Sequence, residues 1–231
     1  MSKRYNQELA SFFHDHLVPV FGIASLDAMK KDPCSAIHRS LDKVLDDLSS
    51  AISFALKLSD KVMESLEKGP NILYSSHYSR INQYLDATTI RLTQWIEQKG
   101  FNALPIAASI VLDFDANLAH LSHRHAAYYA GLGWYGRNNL LVHPHYGARL
   151  RFATVLTDLP LQCGEPLTGD CGDCRDCTGV CPAGAIGDSF RDFKKFQCAA
   201  LLRNFAKQPG ICQQICGMCI KACRGKEKNH G

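Results

Sequence analysis

Leu9, Phe12 and Phe13, followed by Leu17, fall along one helical face between Ser2 and His16, so the spacing predicts a helix there. A short strand is expected over Val18 to Ser25, and a helix over Ser35 to Leu48. Ala51 to Leu56 is an apolar run interrupted by Ser53 alone, which reads as a buried strand. The clearest periodicity covers Tyr78 to Gln98. There Ile81, Leu85, Leu92, Trp95 and Ile96 recur at helical spacing, and Gly100 stands where a left-handed cap belongs. That stripe is read as core packing. Ala103 to Ala108 and Ser109 to Leu112 read as extended chain, Leu121 to Leu132 as a helix, and Leu140 to Val142 and Ala148 to Leu156 as two more strands.

This order predicts an α/β layer over residues 1–160. A cysteine-rich module follows over 161–224, with a short tail at 225–231. The module's glycines and prolines favour loops folded around an inorganic centre.

At 231 residues the chain is long enough for one substantial core and a small cofactor module. Its composition, 46% hydrophobic and 21% charged, is that of a globular protein rather than a disordered one. The 11 cysteines would indicate disulfides in a secreted chain, but the opening Met1 to Gln7 has no apolar signal region. No apolar run approaches the roughly 18 residues of a membrane span. The expected compartment is therefore the reducing cytoplasm. A formal charge of +4 says little about partners, because thiolate-bound metal adds negative charge, and nucleic-acid binding is not inferred from it.

Cys171, Cys174, Cys177 and Cys181 stand as C-x2-C-x2-C-x3-C with Pro182 next. That is the bacterial ferredoxin spacing for a [4Fe–4S] cluster, in which the fourth thiolate serves a neighbouring cluster. Zinc modules present two separated C-x2-C pairs instead. Cys212, Cys216, Cys219 and Cys223 form a second group. By the crossing rule Cys171, Cys174 and Cys177 join Cys223, while Cys181, Cys216 and Cys219 need one more ligand. Spacing leaves that place open between Cys198 and Cys212. Cys34 and Cys163 read as buried thiols.

The segment Ala130-Gly131-Leu132-Gly133-Trp134-Tyr135-Gly136-Arg137-Asn138-Asn139, then His143-Pro144-His145-Tyr146-Gly147, Ala153 to Leu161 and the cluster motif, resembles the catalytic region of epoxyqueuosine reductases. The likeness runs from about Pro105 to Cys223, and more faintly through Phe21 to Ala24. It implies a nitroreductase-like α/β core, a cobalamin, and two [4Fe–4S] clusters that deliver electrons to it. It also implies Cys198 as the remaining ligand. Short relatives of the family share the arrangement around Ala103 to Ser109, Leu121 to Arg124 and Ala130 to Trp134.

Family members carry a helical-repeat tail that grips the tRNA anticodon loop, whereas this sequence ends eight residues after Cys223. That puts tRNA binding in doubt, and the expected substrate is a small molecule or a modified nucleoside. The family's proton-donating aspartate aligns with Asn117, with Asp113 and Asp115 close by, and His120, His123 and His125 follow. His120 and His123 share a helix face and titrate near neutrality, so with Asp115 they are the expected catalytic residues. Gly131, Gly133 and Gly136 are expected to leave room for a flat macrocycle, the alternative being helix-end and turn geometry. Trp134, Arg137 and Asn138, with Asn139, are expected to bind the cofactor, and Tyr135 to do so or to pack. His143 and His145 read as structural or pocket-lining rather than as metal ligands.

These readings converge on an iron–sulfur oxidoreductase fed by a ferredoxin or flavodoxin. The alternative is an electron-transfer protein or redox subunit with two clusters and no substrate, whose α/β domain holds a flavin or no further cofactor.

Overall fold

The computed structural model describes residues 2–32, 37–113 and 118–225. In chain order they form α1 (Ser2–Asp15), β1 (Val20–Ser25), α2 (Leu26–Lys31), a 3-10 turn (Arg39–Val44), β2 (Ser50–Lys57), α3 (Asp60–Glu64), α4 (Ile72–Glu97) and β3 (Ala103–Ile106). Then come α5 (His123–Tyr129), β4 (Trp134–Tyr135), β5 (Leu141–Val142), β6 (Leu150–Thr157), α6 (Asp176–Gly179), a second 3-10 turn (Phe190–Asp192), α7 (Lys195–Phe205) and α8 (Met218–Ala222). The fold is mixed α/β. Among the described residues no helix is long and apolar enough to cross a membrane.

Two compact units emerge. The first comprises Met1–Leu56, Asn82–Leu132 and Arg151–Leu167. Its sheet has the strand order β1-β2-β6-β3. β1 runs antiparallel to β2, with Val20 opposite Ala55, and β3 antiparallel to β6, with Ala103 opposite Thr157. Pro105 is tolerated because β3 is an edge strand, where a missing ladder N–H costs little. Ser50 to Ala55 are buried without alternation, so both faces of β2 are covered, as its apolar run requires.

α1 buries Leu9, Phe12 and Phe13, and the Phe13 ring lies 4.7 Å from Phe21 and 5.1 Å from Phe54. Each such burial contributes roughly 1.5–3 kcal/mol. Leu17 departs from the expected stripe, being 81% exposed with φ +51. It occupies the left-handed position after the helix: Leu17 N–H bonds the His14 carbonyl and Val18 N–H the Phe13 carbonyl. Val18 packs inward in its place. Gly100 caps α4 in the same way, at φ +84, with Gly100 bonded to Glu97 and Phe101 to Ile96. The helix expected over Ser35 to Leu48 is only the 3-10 turn Arg39–Val44, begun by the His38 ring accepting from Ser40 N–H; Cys34 and Ser35 lie outside the described residues.

The second unit comprises Lys57–Ile81, Gly133–Leu150 and Thr168–Gly231. Its core joins Leu58, Met63, Leu66 and Tyr74 to Ile211, Ile215 and Met218. The compact unit around the cysteines therefore reaches beyond the segment 161–224, because that segment has too few large apolar side chains to build a core alone. α6 packs against α8, and α3 also lies against α8. Buried Arg149 fixes the α3–α8 pair by bonding both the Asp60 carboxylate and the Lys221 carbonyl. Lys221 answers from α8, its ammonium donating to the carbonyls of Leu66 at 2.5 Å and Glu64 at 3.3 Å.

Candidate functional site

The eight motif cysteines and Cys198 lie in the second unit, on short helices and tight turns. Cys174 N–H closes a turn onto the Cys171 carbonyl at 3.0 Å, and Cys177 is buried in α6. Cys181 Sγ accepts from Ala185 N–H at 3.4 Å. Cys198 sits in the first turns of α7, Cys219 in α8, and Cys216 just before it. Cys223 caps α8, and its carbonyl accepts from Ala148 N–H at 3.2 Å.

Mutual electrostatics sort these thiols into two neighbourhoods. Burial pushes Cys223 up to about 11, and Cys171, Cys177 and Cys174 act on it in the same direction. Cys177 is raised by burial, and by Cys171 and Cys174. Elsewhere burial pushes Cys198 up to about 11, with added repulsion from Cys181 and Cys216. Cys219 is raised by burial first, then by Cys216, Cys198 and Cys181, and least by Cys177. Cys212 is exposed and is not among the charges acting on these thiols. Buried thiols that repel one another ionise only with a cation to bind, the condition thiolate metal sites meet.

Among the described residues no three His, Cys, Asp or Glu side chains converge on the position of one metal ion. A tetrahedral zinc with Zn–S bonds of about 2.3 Å would need that convergence. A cubane spreads its thiolates over the corners of a larger body.

The glycine-rich segment is a helix end followed by a hairpin. Gly131, at φ +74, takes the left-handed position after α5, where its N–H bonds the Tyr128 carbonyl and Leu132 N–H the Ala127 carbonyl. A Cβ there would stand 2.6 Å from the Glu165 carbonyl oxygen, and one at Gly133 would collide with the Val142 carbonyl. At Gly136 it would meet the Val142 and Asn138 side chains. The space a Cβ would need at all three is taken by the protein's own atoms, so the left-handed turn at Gly131 and close packing at Gly133 and Gly136 account for glycine there. β4 and β5 pair as Trp134 with Val142 and Tyr135 with Leu141, and Tyr135 stacks on Phe190 at 5.2 Å.

Arg137 is committed as well. Its Nε donates to the Cys174 carbonyl at 3.1 Å and its Nη2 to the Gly172 carbonyl, so it braces the first cysteine loop rather than reaching for a cofactor. Two buried donors remain: Trp134 Nε1 and Asn138 Nδ2 have no hydrogen-bond partner among the described residues.

The expected catalytic groups separate. His123 Nδ1 accepts from the Thr154 hydroxyl at 2.8 Å while Nε2 donates to the Ala107 carbonyl at 2.8 Å. Burial pushes its pKa down to about 4. It is a neutral structural histidine, which corrects the expected proton-donor role. His120 Nδ1 lies 2.9 Å from Ser40 Oγ, which lies 2.9 Å from His38 Nδ1. His125 faces Asp32 at 3.2 Å. Asp113 is exposed and bridges to Leu118; Asp115 and Asn117 lie outside the described residues. His143 Nδ1 accepts from the backbone N–H of His145 and Tyr146, so it caps its own turn. Cys163 is half-buried, with Ser50 Oγ 4.0 Å away.

Sequence reading missed the Arg149–Asp60 pair. Its signal was a charge inside the otherwise apolar run Ala148 to Leu156, where Arg149 and Arg151 are the two charged positions.

No family model matches the chain. Among curated proteins it is similar to the epoxyqueuosine reductase of Salmonella typhimurium (strain LT2), 30% identical over 128 residues, which is 53% of this chain and 31% of the relative. The chain thus spans under a third of the curated relatives it matches. Among solved structures it is similar to a catabolic reductive dehalogenase, with a TM-score of 0.68 and 21% identity over 89% of this chain and 29% of that one. It is also similar to the epoxyqueuosine reductase of Streptococcus thermophilus, with a TM-score of 0.64 and 18% identity over 94% and 65%. The likeness to epoxyqueuosine reductases read from the motifs therefore holds in sequence and in fold.

Proposed function

We propose that the chain is an iron–sulfur oxidoreductase of the epoxyqueuosine reductase type. Cys171, Cys174, Cys177 and Cys223 hold one [4Fe–4S] cluster, and Cys181, Cys198, Cys216 and Cys219 hold the other. The observation supporting this most is the partition of the thiols: Cys223 acts within the set of the first motif, and Cys181 within the set of the second. That exchange is the ferredoxin crossing rule. On this reading the second unit is a ferredoxin-like double-cluster module and the first a nitroreductase-like scaffold.

A cobalamin, when bound, supplies the metal that performs the reduction. Of the residues expected to hold it, Trp134 and Asn138 have N–H groups with capacity for the amide or phosphate groups of a corrinoid. The chain's own part is to fix the thiolates and to tune the potentials by burial and by donors such as Ala185 N–H to Cys181 Sγ. The substrate is a small molecule or a modified nucleoside, the latter carried over from the relatives' name.

Anaerobic reconstitution with iron and sulfide, followed by metal analysis and absorbance spectroscopy, tests the reading. About eight irons per chain, two cubanes of four, is the expected result. Hydroxocobalamin binding that weakens in Trp134→Phe and Asn138→Ala is expected as well. Colourless protein that takes up zinc and no iron overturns the proposal.

A further inference from the structure

The segment from Phe190 to Lys207 carries five basic residues, Arg191, Lys194, Lys195, Arg203 and Lys207, against one acid, Asp192. That acid is occupied by the Ser189 backbone and hydroxyl. Phe196, Ala200, Arg203 and Lys207 follow one another at helical spacing on an exposed face of α7 and just beyond it. Phe196 is a large apolar ring left 65% exposed at the start of that face, with Lys195 Nζ 5.9 Å from its centroid. Cys198, two residues after Phe196, turns to the opposite side of the helix, where Cys181 and Cys216 act on it.

The surroundings of the other thiol set have the opposite sign. Asp170, Asp173 and Asp176 are exposed around Cys171 to Cys177, while Arg175 pairs with Asp188 and Arg137 is engaged by the carbonyls of Cys174 and Gly172. An acidic protein is repelled from that loop and drawn to α7. One helix, about 10 Å across, then separates the docked partner from the Cys198 thiolate. Electron tunnelling operates over a separation of that order, so the route through α7 is open to the carrier that its charge attracts.

We propose that the basic, Phe196-centred face of α7 is the docking site for an acidic one-electron carrier protein, which reduces the cluster held by Cys181, Cys198, Cys216 and Cys219. This rests on the cluster assignment proposed above. In the step one electron leaves the carrier, which is oxidised by one equivalent, and the cluster is reduced by one. No covalent bond forms or breaks. Charge complementarity sets the encounter rate, and salt weakens it.

The test is stopped-flow reduction of the reconstituted full chain by a fully reduced acidic flavodoxin, at low and high ionic strength, with dithionite as a partner-free reductant. Arg203→Glu combined with Lys207→Glu is expected to slow the flavodoxin reaction about tenfold or more at low salt. The wild-type rate should fall as salt rises. Iron content and the dithionite rate should stay unchanged. Arg203→Gln with Lys207→Gln should slow the reaction by an intermediate factor, and it decides the matter if the charge reversal loses iron. Phe196→Ala should slow the reaction at every salt concentration.

Equal flavodoxin rates in wild type and both charge variants overturn the docking site while leaving the clusters standing. So does loss of affinity for a short RNA hairpin with the flavodoxin rate intact, which would make α7 an RNA-binding face. A chain that takes up no iron overturns the earlier reading first, and is recognised by metal analysis before any kinetics.

Discussion

Arg137 donates through Nε to the carbonyl of Cys174, 37 positions along the chain, and its second nitrogen reaches Gly172 in the same loop. The planar guanidinium matches two carbonyls at once, which a lysine ammonium does less well. Arg137→Ala should therefore loosen the loop that carries Cys171 and Cys174, at a cost of about 1–3 kcal/mol for hydrogen bonds from a charged donor. Iron release to a chelator, followed by absorbance, should accelerate in Arg137→Ala and remain partly accelerated in Arg137→Lys. Unchanged release rates would remove the bracing role.

Cys198 and Cys212 provide a paired comparison. Cys198→Ser should lower the reconstituted iron by about half, the loss of one of two cubanes. Cys212→Ser should leave it unaltered. The reverse outcome would reassign the second set.

The Arg149–Asp60 pair should be felt in stability as well as in metal content. Burial raises the Asp60 carboxyl, but hydrogen bonds from Lys57 and Arg149 outweigh it and hold the group below its ordinary 3.8. A carboxylate held low stabilises the fold above its unfolded pKa, and that contribution fades as pH falls below about 4. Asp60→Asn should cost on the order of 1–2 kcal/mol at pH 7, less than for a fully buried pair because the Asp60 side chain stays 42% exposed. Urea denaturation at pH 7 and near pH 3 should show the gap between wild type and variant narrowing with acid.

His123 makes a prediction of opposite consequence for catalysis. Its folded pKa of about 4 lies below the ordinary 6.5, so the unfolded chain takes up a proton before the folded one does. Its contribution is complete above pH 6.5 and declines toward pH 4, by roughly 3 kcal/mol at most. Denaturant midpoints between pH 7 and 4.5 should fall in the wild type and flatten in His123→Asn. A parallel decline in both would show that His123 takes up a proton as readily in the fold as in the unfolded chain.

The apolar pattern made the frame legible. α1, β1, β2, α4 and β6 appear close to where periodicity and apolar runs put them, because their burial is set by neighbours a few residues away. α3, α7 and α8 were not foreseen as helices. α7 and α8 lie among cysteines and glycines, and the position of α3 and α8 is decided by contacts such as Met63, Leu66 and Tyr74 with Met218, distant in sequence. Spacing leaves the fourth member of the second set open between Cys198 and Cys212, and it is Cys198 on which Cys181 and Cys216 act electrostatically. Arg137 was read for the right capacity, multiple hydrogen bonds, and the wrong acceptor. Nothing local to Gly136-Arg137-Asn138 indicates that the carbonyl of Cys174 lies within reach.

Cys177 is the one thiol of the first set that acts on Cys219 of the second, across the packing of α6 on α8. Two loaded centres linked in this way cannot charge independently. An electron resident on one makes the next harder to add to its neighbour, and bulk salt screens little of that penalty in a buried site. The pair should then accept reducing equivalents in sequence, at split midpoint potentials, and give up the last one added most readily.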